Sequence, residues 1–480
     1  MSVSVKDVIR PAFSILPEVP RPRRPVTLRE KLFWTATVVI VYLIMCEVPL
    51  YGIPYGTRGY EELFFFRIIL ASRKGTLAEL GIGPIVTSGI ILELLVGSKI
   101  LELDLSKPED RAFFSGAQKL LAIVFAAVEA LAFILGGAYG VLTITSAVLI
   151  FAQLMMASLA VILMDEMIQK GWGIGSGVNL FIAAGIAQQI FWQIFSPIGP
   201  FADGLPLGVI PALTVAILNA TNTGNWSVVS TVLVRKGLPD IVGFAAMIVF
   251  FILVIYMESM QVEVGVSLSK YRGLKAKIPL KFLYVSIIPL IFASILYTDI
   301  YMFSQVLWSR FNRDNSNTWL NLIAKFEVKE GRLVPLPGCL IYYITPPRGL
   351  TSVLEDPIHV LLYSLITIGL CILFGILWVE LTGMDPRSQA EQLVSAGMQI
   401  PGFRHSPKII AYLLRKYIPI LTVLSSIIVA IISVIGDILG VIGSGIGILL
   451  LAGILVQYQA MIAQERALEA YPLLRRLVKS

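Results

Sequence analysis

Seven carboxylates interrupt long apolar stretches of this chain: Glu47, Glu93, Glu129, Glu258, Asp299, Glu380 and Asp437. An acid inside a segment of hydrocarbon length is costly, and by default it marks an ion path, a proton relay or a polar gate. Glu47, Glu258, Glu380 and Asp437 fall near the ends of their stretches, where headgroup water reaches them. Glu129 lies deeper, so a functional role stands beside a packing one. No two of these acids stand four residues apart and no histidine accompanies them, so a proton or sodium relay lacks its parts.

Other chemistries find still less. The run Gly171-Trp172-Gly173-Ile174-Gly175-Ser176-Gly177 has the glycines of a phosphate cradle. Such a cradle needs a preceding strand and a following soluble helix, and often a Lys-Ser/Thr pair. Here the run joins two apolar segments, where small residues let helices approach closely. His359 and His405 are the two histidines; neither sits among candidate nucleophiles, and two cannot build a histidine-rich metal site. His359 follows Asp356-Pro357 at a helix start, a structural setting. Cys46 and Cys371 lie in apolar runs and, with Cys339, make no disulfide framework. No catalytic set, cofactor site or metal site is expected.

The elements that position these residues follow from composition. Of 480 residues, 56% are hydrophobic and 14% charged. A soluble chain carries about a quarter charged residues, so this excess of apolar surface needs lipid as its solvent. Spans of about 20 apolar residues are predicted at 32–50, 113–136, 141–168, 178–195, 240–258, 282–303, 357–380, 417–435 and 445–464. A tenth, short span lies near 82–97, preceded by the apolar piece Leu63–Leu70 and the polar, Gly-bearing stretch Ser72–Gly83. The first apolar run follows a Pro-rich basic stretch and has no small-residue cleavage site, so it reads as span 1 rather than as a cleaved signal. Leu205–Ala220, interrupted by Pro206 and Pro211, reads as an extracytoplasmic surface segment.

Ten spans put both termini on one side. Of the 38 Lys and Arg, 25 then lie in 1–31, 98–111, 166–176, 259–281, 381–416 and 465–480. Basic residues accumulate on the cytoplasmic side, so both termini are expected there. Span 5 opens with Gly-Ile-Gly-Ser-Gly (173–177) and span 10 with Gly-Ser-Gly-Ile-Gly (443–447); spans 2 and 7 carry Pro84 and Pro289 near their starts. Both pairs are five spans apart, so the matched helices run in opposite directions, as in an inverted repeat. The basic loops between spans 6 and 7 and between spans 8 and 9 suit topology control and anionic lipid, or docking of an acidic partner such as RNA.

The stretch Gly75-Thr76-Leu77-Ala78-Glu79-Leu80-Gly81-Ile82-Gly83-Pro84-Ile85-Val86-Thr87-Ser88-Gly89 strongly resembles the second-span signature of the SecY family, in its archaeal/eukaryotic branch. Asp110-Arg111-Ala112 with Gly116-Ala117-Gln118-Lys119-Leu120, Gly173 to Gly177, Tyr284-Val285-Ser286 through Pro289, Asp356-Pro357-Ile358-His359, Gly402-Phe403-Arg404 and Gly443-Ser444-Gly445 through Leu450 follow in family order. Seven such matches in order are highly specific.

The resemblance implies an all-α polytopic membrane protein with ten transmembrane helices in two inverted five-helix halves around a central pore. The halves are 32–195 and 240–464, joined by the extracytoplasmic loop 196–239. The cytoplasmic segments are 1–31, 259–281, 381–416 and 465–480, and 304–356 is a long external loop. The implied function is the pore-forming subunit of the Sec protein translocase, a passive conduit for secreted chains that also releases membrane helices sideways. A secondary transporter of a small solute is the alternative; it needs polar midplane ligands, whereas the matched positions are aliphatic.

Matched by motif, the pore ring falls on Ile82, Val86, Val178, Ile182, Ile291 and Leu450. The plug falls at about Gly59–Leu70. The lateral gate lies between spans 2 and 3 on one side and 7 and 8 on the other, with polar positions Thr87, Glu129 and Asp299. Many relatives have Asn where this chain has Ile287, which makes the span 7 face greasier. Lys270, Arg272, Lys275 and Arg404 match docking positions for a ribosome or motor. The implied partners are a small single-span clamp subunit of the SecE/gamma type, a second small tail-anchored subunit of the beta type, the ribosome with its nascent polypeptide, and membrane lipids. The implied location is a prokaryotic plasma membrane of archaeal type or, failing that, an endoplasmic reticulum membrane.

Overall fold

Local capping decides where the helices begin. Thr27 and Glu30 form a reciprocal capping box: Glu30 N–H donates to Thr27 Oγ1 (3.3 Å) and Thr27 N–H to Glu30 Oε2 (3.1 Å). Two helix-start donors are thereby satisfied, and span 1 starts at Leu28, ahead of its apolar run. Span 3 likewise starts early, at Pro108. Proline needs no N–H at the first helical position, and Glu109 and Asp110 in the first turn favour the positive end of the helix. Asp240 opens span 6, accepting from Gly243 N–H at 2.6 Å, and Asp356 opens span 8, accepting from His359 N–H at 3.0 Å.

The computed structural model describes residues 16–53, 75–97, 100–101, 103, 107–137, 139–140, 142–199, 204–235, 238–268, 275–329, 332–347, 349–395, 398–399 and 407–470. Among these, ten helices answer the predicted spans: Leu28–Glu47, Gly83–Gly97, Pro108–Leu135, Ile144–Met167, Gly177–Phe195, Ile241–Ser259, Ile288–Phe311, Pro357–Leu381, Ile418–Ile438 and Gly445–Ala470. The last eight are long and apolar enough to cross a membrane. Span 1 carries charges in its first turn, and span 2 is 15 residues long, as short as its sequence implied. The protein is a multi-pass, mostly helical membrane protein.

Two departures have local causes. Span 7 begins at Ile288, not 282. Ser286 stands at φ 49°, a conformation that breaks a helix, and its hydroxyl donates to Glu258. The stretch Leu205–Ala220, expected to be a surface segment, enters a helix at Val209 that runs to Thr223. Pro211 does not interrupt it, because it lies in the first turn, where no N–H is required.

The chain divides into two compact units. The first comprises Met1–Trp192, Ile295–Thr345 and Ile454–Ser480. In it, Leu92 of span 2 packs with Phe113 and Ala117 of span 3. Ala126 and Ala130 of span 3 pack with Ile150 and Leu154 of span 4 and with Leu80. Tyr42 of span 1 stacks on Phe181 of span 5 at 4.3 Å. Lys119, a cation inside span 3, pairs with Glu166 of span 4 (2.7 Å), and Lys170 joins the same acid at 2.9 Å. The segment after span 7 is built on asparagines. Asn312 donates to Asn321, Asn315 to Phe326 O, and Trp308 to Asn315. The hairpin of strands β3 (Phe326–Lys329) and β4 (Arg332–Pro335) adjoins them.

The second unit comprises Gln193–Ser294 and Pro346–Gly453. Spans 8 and 9 meet at Gly375, where an added Cβ would collide with Ser426 Oγ, so the small residue sets their approach. The predicted loop 259–281 is a hairpin in its described part. Strand β1 (Gln261–Leu268) pairs antiparallel with β2 (Lys275–Lys281), from Gln261↔Lys281 to Ser267↔Lys275. The other edge of β1 takes the two-residue strand β5 (Met398–Gln399) through Ser267↔Gln399 and Leu268↔Met398. Beneath them, Leu280, Tyr284, Val285, Val379, Ile410 and Leu414 form an apolar cluster.

Candidate pore and gate residues

Ile82 and Val86 stand one helical turn apart at the opening of span 2, on one face. The Ile82 carbonyl accepts from the amides of Ile85 and Val86, both at 3.1 Å. Ile82 is fully buried and Val86 half-buried. The turn before them is tied down. Pro49, after span 1, bridges Thr76, with Leu50 N–H on Gly75 O (2.9 Å) and Leu77 N–H on Val48 O (3.0 Å). The chain leaving span 1 and the chain entering span 2 are therefore pinned together. Gly75 holds this turn at φ 68°, and its N–H donates to the buried Glu79. The expected plug, 59–70, lies between these pinned ends and outside the described residues.

Val178 and Ile182 repeat the one-turn spacing at the opening of span 5; Ile182 is buried and Val178 half-buried. These four ring positions belong to the first unit. Ile291 and Leu450 belong to the second. Ile291 N–H bonds to Ile287 O at 3.1 Å, in the first turn of span 7. Leu450 is fully buried in span 10.

Of the three gate positions, the structure brings two together. Glu129 is buried in span 3 and interacts electrostatically with Asp299 of span 7, itself half-buried. Span 3 and span 7 also meet at Gly136, whose added Cβ would lie 3.0 Å from Val306. Thr87 is buried, but its hydroxyl has no hydrogen-bond partner among the described residues. A buried unpaired hydroxyl costs about 1–3 kcal/mol. Ile287 is buried against Gly453 of span 10, its Cδ1 3.2 Å from where a Cβ would stand.

Lys270, Arg272 and Arg404 lie outside the described residues. Lys275 belongs to β2, opposite Ser267. Because Ser267 also pairs with Gln399, the two basic loops are joined by backbone hydrogen bonds just beside these positions.

Two residues not singled out from sequence, Asp165 and Tyr458, and Ser444 of the Gly-Ser-Gly motif do visible work at the helix openings. Asp165, near the end of span 4, accepts from Val178 N–H at 3.0 Å. Tyr458 of span 10 donates to Ser176 O (2.8 Å) and accepts from Ser176 N–H (3.2 Å). Ser444 accepts from Gly447 N–H at 2.9 Å. An acid in an apolar span just ahead of a glycine-rich turn was the available signal for Asp165.

The SecY family pattern matches residues 76–459, and the pattern described as the plug domain of Sec61p matches 40–75. The protein translocase subunit SecY of Aeropyrum pernix is 41% identical over 482 residues, covering 99% of each chain. That of Saccharolobus solfataricus is 42% identical over 468 residues, covering 96% of this chain and 97% of its own. Among solved structures, one described as a protein conducting channel aligns with TM-score 0.77 at 38% identity, covering 96% of this chain and 98% of that one. Sec61 in the canine ribosome-channel complex from the endoplasmic reticulum aligns with TM-score 0.74 at 38% identity, with the same coverage.

Proposed function

The chain belongs to the SecY family of protein-conducting channels, and from that premise we propose that it is the pore subunit of a translocase that passes unfolded polypeptides through an aliphatic ring and releases apolar segments sideways into lipid. The observation that carries this reading is the match to translocase subunits over 99% of the chain, with aliphatic residues at all six ring positions. The family's members are channels, not enzymes. A solute transporter would need polar ligands where Ile82, Val86, Val178, Ile182, Ile291 and Leu450 stand.

Flexible aliphatic side chains seal around an extended chain without holding it, and an apolar constriction resists wetting and so limits ion leak. A segment of about 20 apolar residues prefers hydrocarbon and exits through the gate. A polar chain continues through the ring. Energy comes from a partner: a ribosome extending the nascent chain at the joined 6/7 and 8/9 loops, or a motor. The small clamp and tail-anchored subunits complete the complex. The termini and both basic loops face the cytoplasm, and the membrane is a prokaryotic plasma membrane of archaeal type.

Reconstitution of the purified complex into vesicles tests the reading. A secretory precursor becomes protease-protected inside vesicles, and a precursor with an apolar 20-mer becomes carbonate-resistant in the bilayer. Failure of both overturns it. In the same assay, Thr87→Leu buries about 1–2 kcal/mol more apolar surface in the closed gate. Each leucine in an incoming segment contributes about 0.5 kcal/mol to insertion. The hydrophobicity required for release therefore rises by about two to four leucines, and Glu129→Leu shifts it the same way. An unaltered threshold in both variants assigns these residues to packing alone.

A further inference from the structure

The turns into spans 5 and 10 share a design beyond their glycine content. Aligned on Gly175-Ser176-Gly177 and Gly443-Ser444-Gly445, both begin with a glycine in the left-handed region, φ 73° at Gly175 and 81° at Gly443. Both end with a glycine pressed on the backbone of the preceding span. A Cβ at Gly177 would lie 2.6 Å from Asp165 Cα, and one at Gly445 would collide with Ser433 O. Both are met by a buried carboxylate from that span. Asp165 accepts from Val178 N–H (3.0 Å), with Ser176 Oγ at 3.4 Å and Gln169 Nε2 at 2.8 Å. Asp437 accepts from Gly445 N–H at 3.0 Å.

An acid in the last turn of a helix faces the negative end of that helix's dipole and is disfavoured there. Asp437 stands in that position, one residue before the end of Ile418–Ile438; Asp165 stands further back, because Ile144–Met167 runs on into a π-helical turn, Ile168–Trp172, that breaks at Gly171 (φ 99°). Both acids are buried, and both are met in the same way: the next helix presents its positive end and its unpaired first-turn amides to the acid. Five residues beyond each final glycine stands a ring position, Ile182 after Gly177 and Leu450 after Gly445, both buried. That is about 7.5 Å along the axis. Fraying of the first turn would rotate and shift each of them.

We propose that Asp165 and Asp437 are matched positioning residues: each staples the opening of the following span to the preceding one and so fixes the height of a pore-ring side chain, Ile182 in one case and Leu450 in the other. The proposal rests on the ring assignment. It gives the inverted repeat a physical content, one acid and one Gly-Ser-Gly turn per half, at spans five apart.

The test reads ion leak through the full complex in planar bilayers. Asp165→Leu and Asp437→Leu remove the acceptor; each is expected to raise resting conductance about tenfold, the equivalent of losing one helix cap. Asp165→Asn and Asp437→Asn keep an amide oxygen at the same place and are expected to stay within about twofold of the parent. Ile182→Gly is the control for the ring. If it leaks while both leucine variants seal, the staple is wrong and the ring stands. If it seals too, the ring assignment fails and the proposal falls with it. If the leucine variants do not accumulate, amide hydrogen exchange on the parent complex decides. Val178 and Gly445 amides are expected to be protected like helix-interior amides, at least tenfold beyond an uncapped first turn. Exchange at the uncapped rate overturns the proposal.

Discussion

Replacing Ile82, Val178 and Ile291 together with glycine raises the resting ion conductance of the reconstituted complex on the order of a hundredfold. Each aliphatic side chain removed from a narrow constriction lowers the cost of filling it with water, and one such chain is worth about 1.5–3 kcal/mol of transfer free energy. Steric and packing changes absorb part of this sum. A net loss of about 3 kcal/mol from the barrier to a continuous water column corresponds to about two decades in conductance. Asparagine at the same positions acts in the same direction by offering water hydrogen bonds. Single-channel recording without a translocating chain measures the effect, and unchanged conductance in the triple variant removes the ring from these residues.

Arg404→Glu weakens ribosome binding by about ten- to a hundredfold. An arginine on a phosphate contributes about 1.5–3 kcal/mol as a charge-assisted hydrogen bond, and a glutamate adds repulsion. Counterion release predicts a second signature. With one phosphate contact fewer, the slope of log affinity against log salt becomes shallower by about one. The deficit is therefore largest at low salt. Co-sedimentation of the reconstituted complex with ribosomes across a salt series reads both quantities. Equal affinity and equal slope would remove Arg404 from the interface.

The helices were legible because lipid imposes a length. With irregular backbone excluded from hydrocarbon, apolar runs of about 20 residues convert almost directly into helices. The boundaries moved where capping chemistry lay outside the apolar run, as at Thr27 and Pro108, or where a side chain bent the backbone, as at Ser286. The sheet β2-β1-β5 leaves only half a trace in the sequence. Val262, Val264 and Val266 alternate in β1, but its partner β5 is two residues long and more than 120 residues away, beyond any local signal.

The acids show the same limit. Glu258 and Asp437 sit near span ends and read as interfacial, yet both are buried and engaged, Glu258 by Ser286 and Asp437 by Gly445. Position along a span estimates depth in the bilayer; it does not reveal which neighbouring backbone presents a donor. Asp165 is hidden for the same reason, because its partner, Val178, is brought to it by a turn that contains four glycines, Gly171, Gly173, Gly175 and Gly177. That Glu129 lies within electrostatic reach of Asp299 also needed the fold, since 170 residues separate the two.

The central claim is that these aliphatic positions line the path of an unfolded chain. A photo-reactive side chain introduced singly at Ile82, Val178, Ile182, Ile291 and Leu450 measures it directly, with a ribosome-stalled secretory precursor held halfway across. Crosslinks from every position to the polar middle of the precursor are the result expected. Crosslinks to lipid alone, with the precursor captured elsewhere or not at all, would contradict the account.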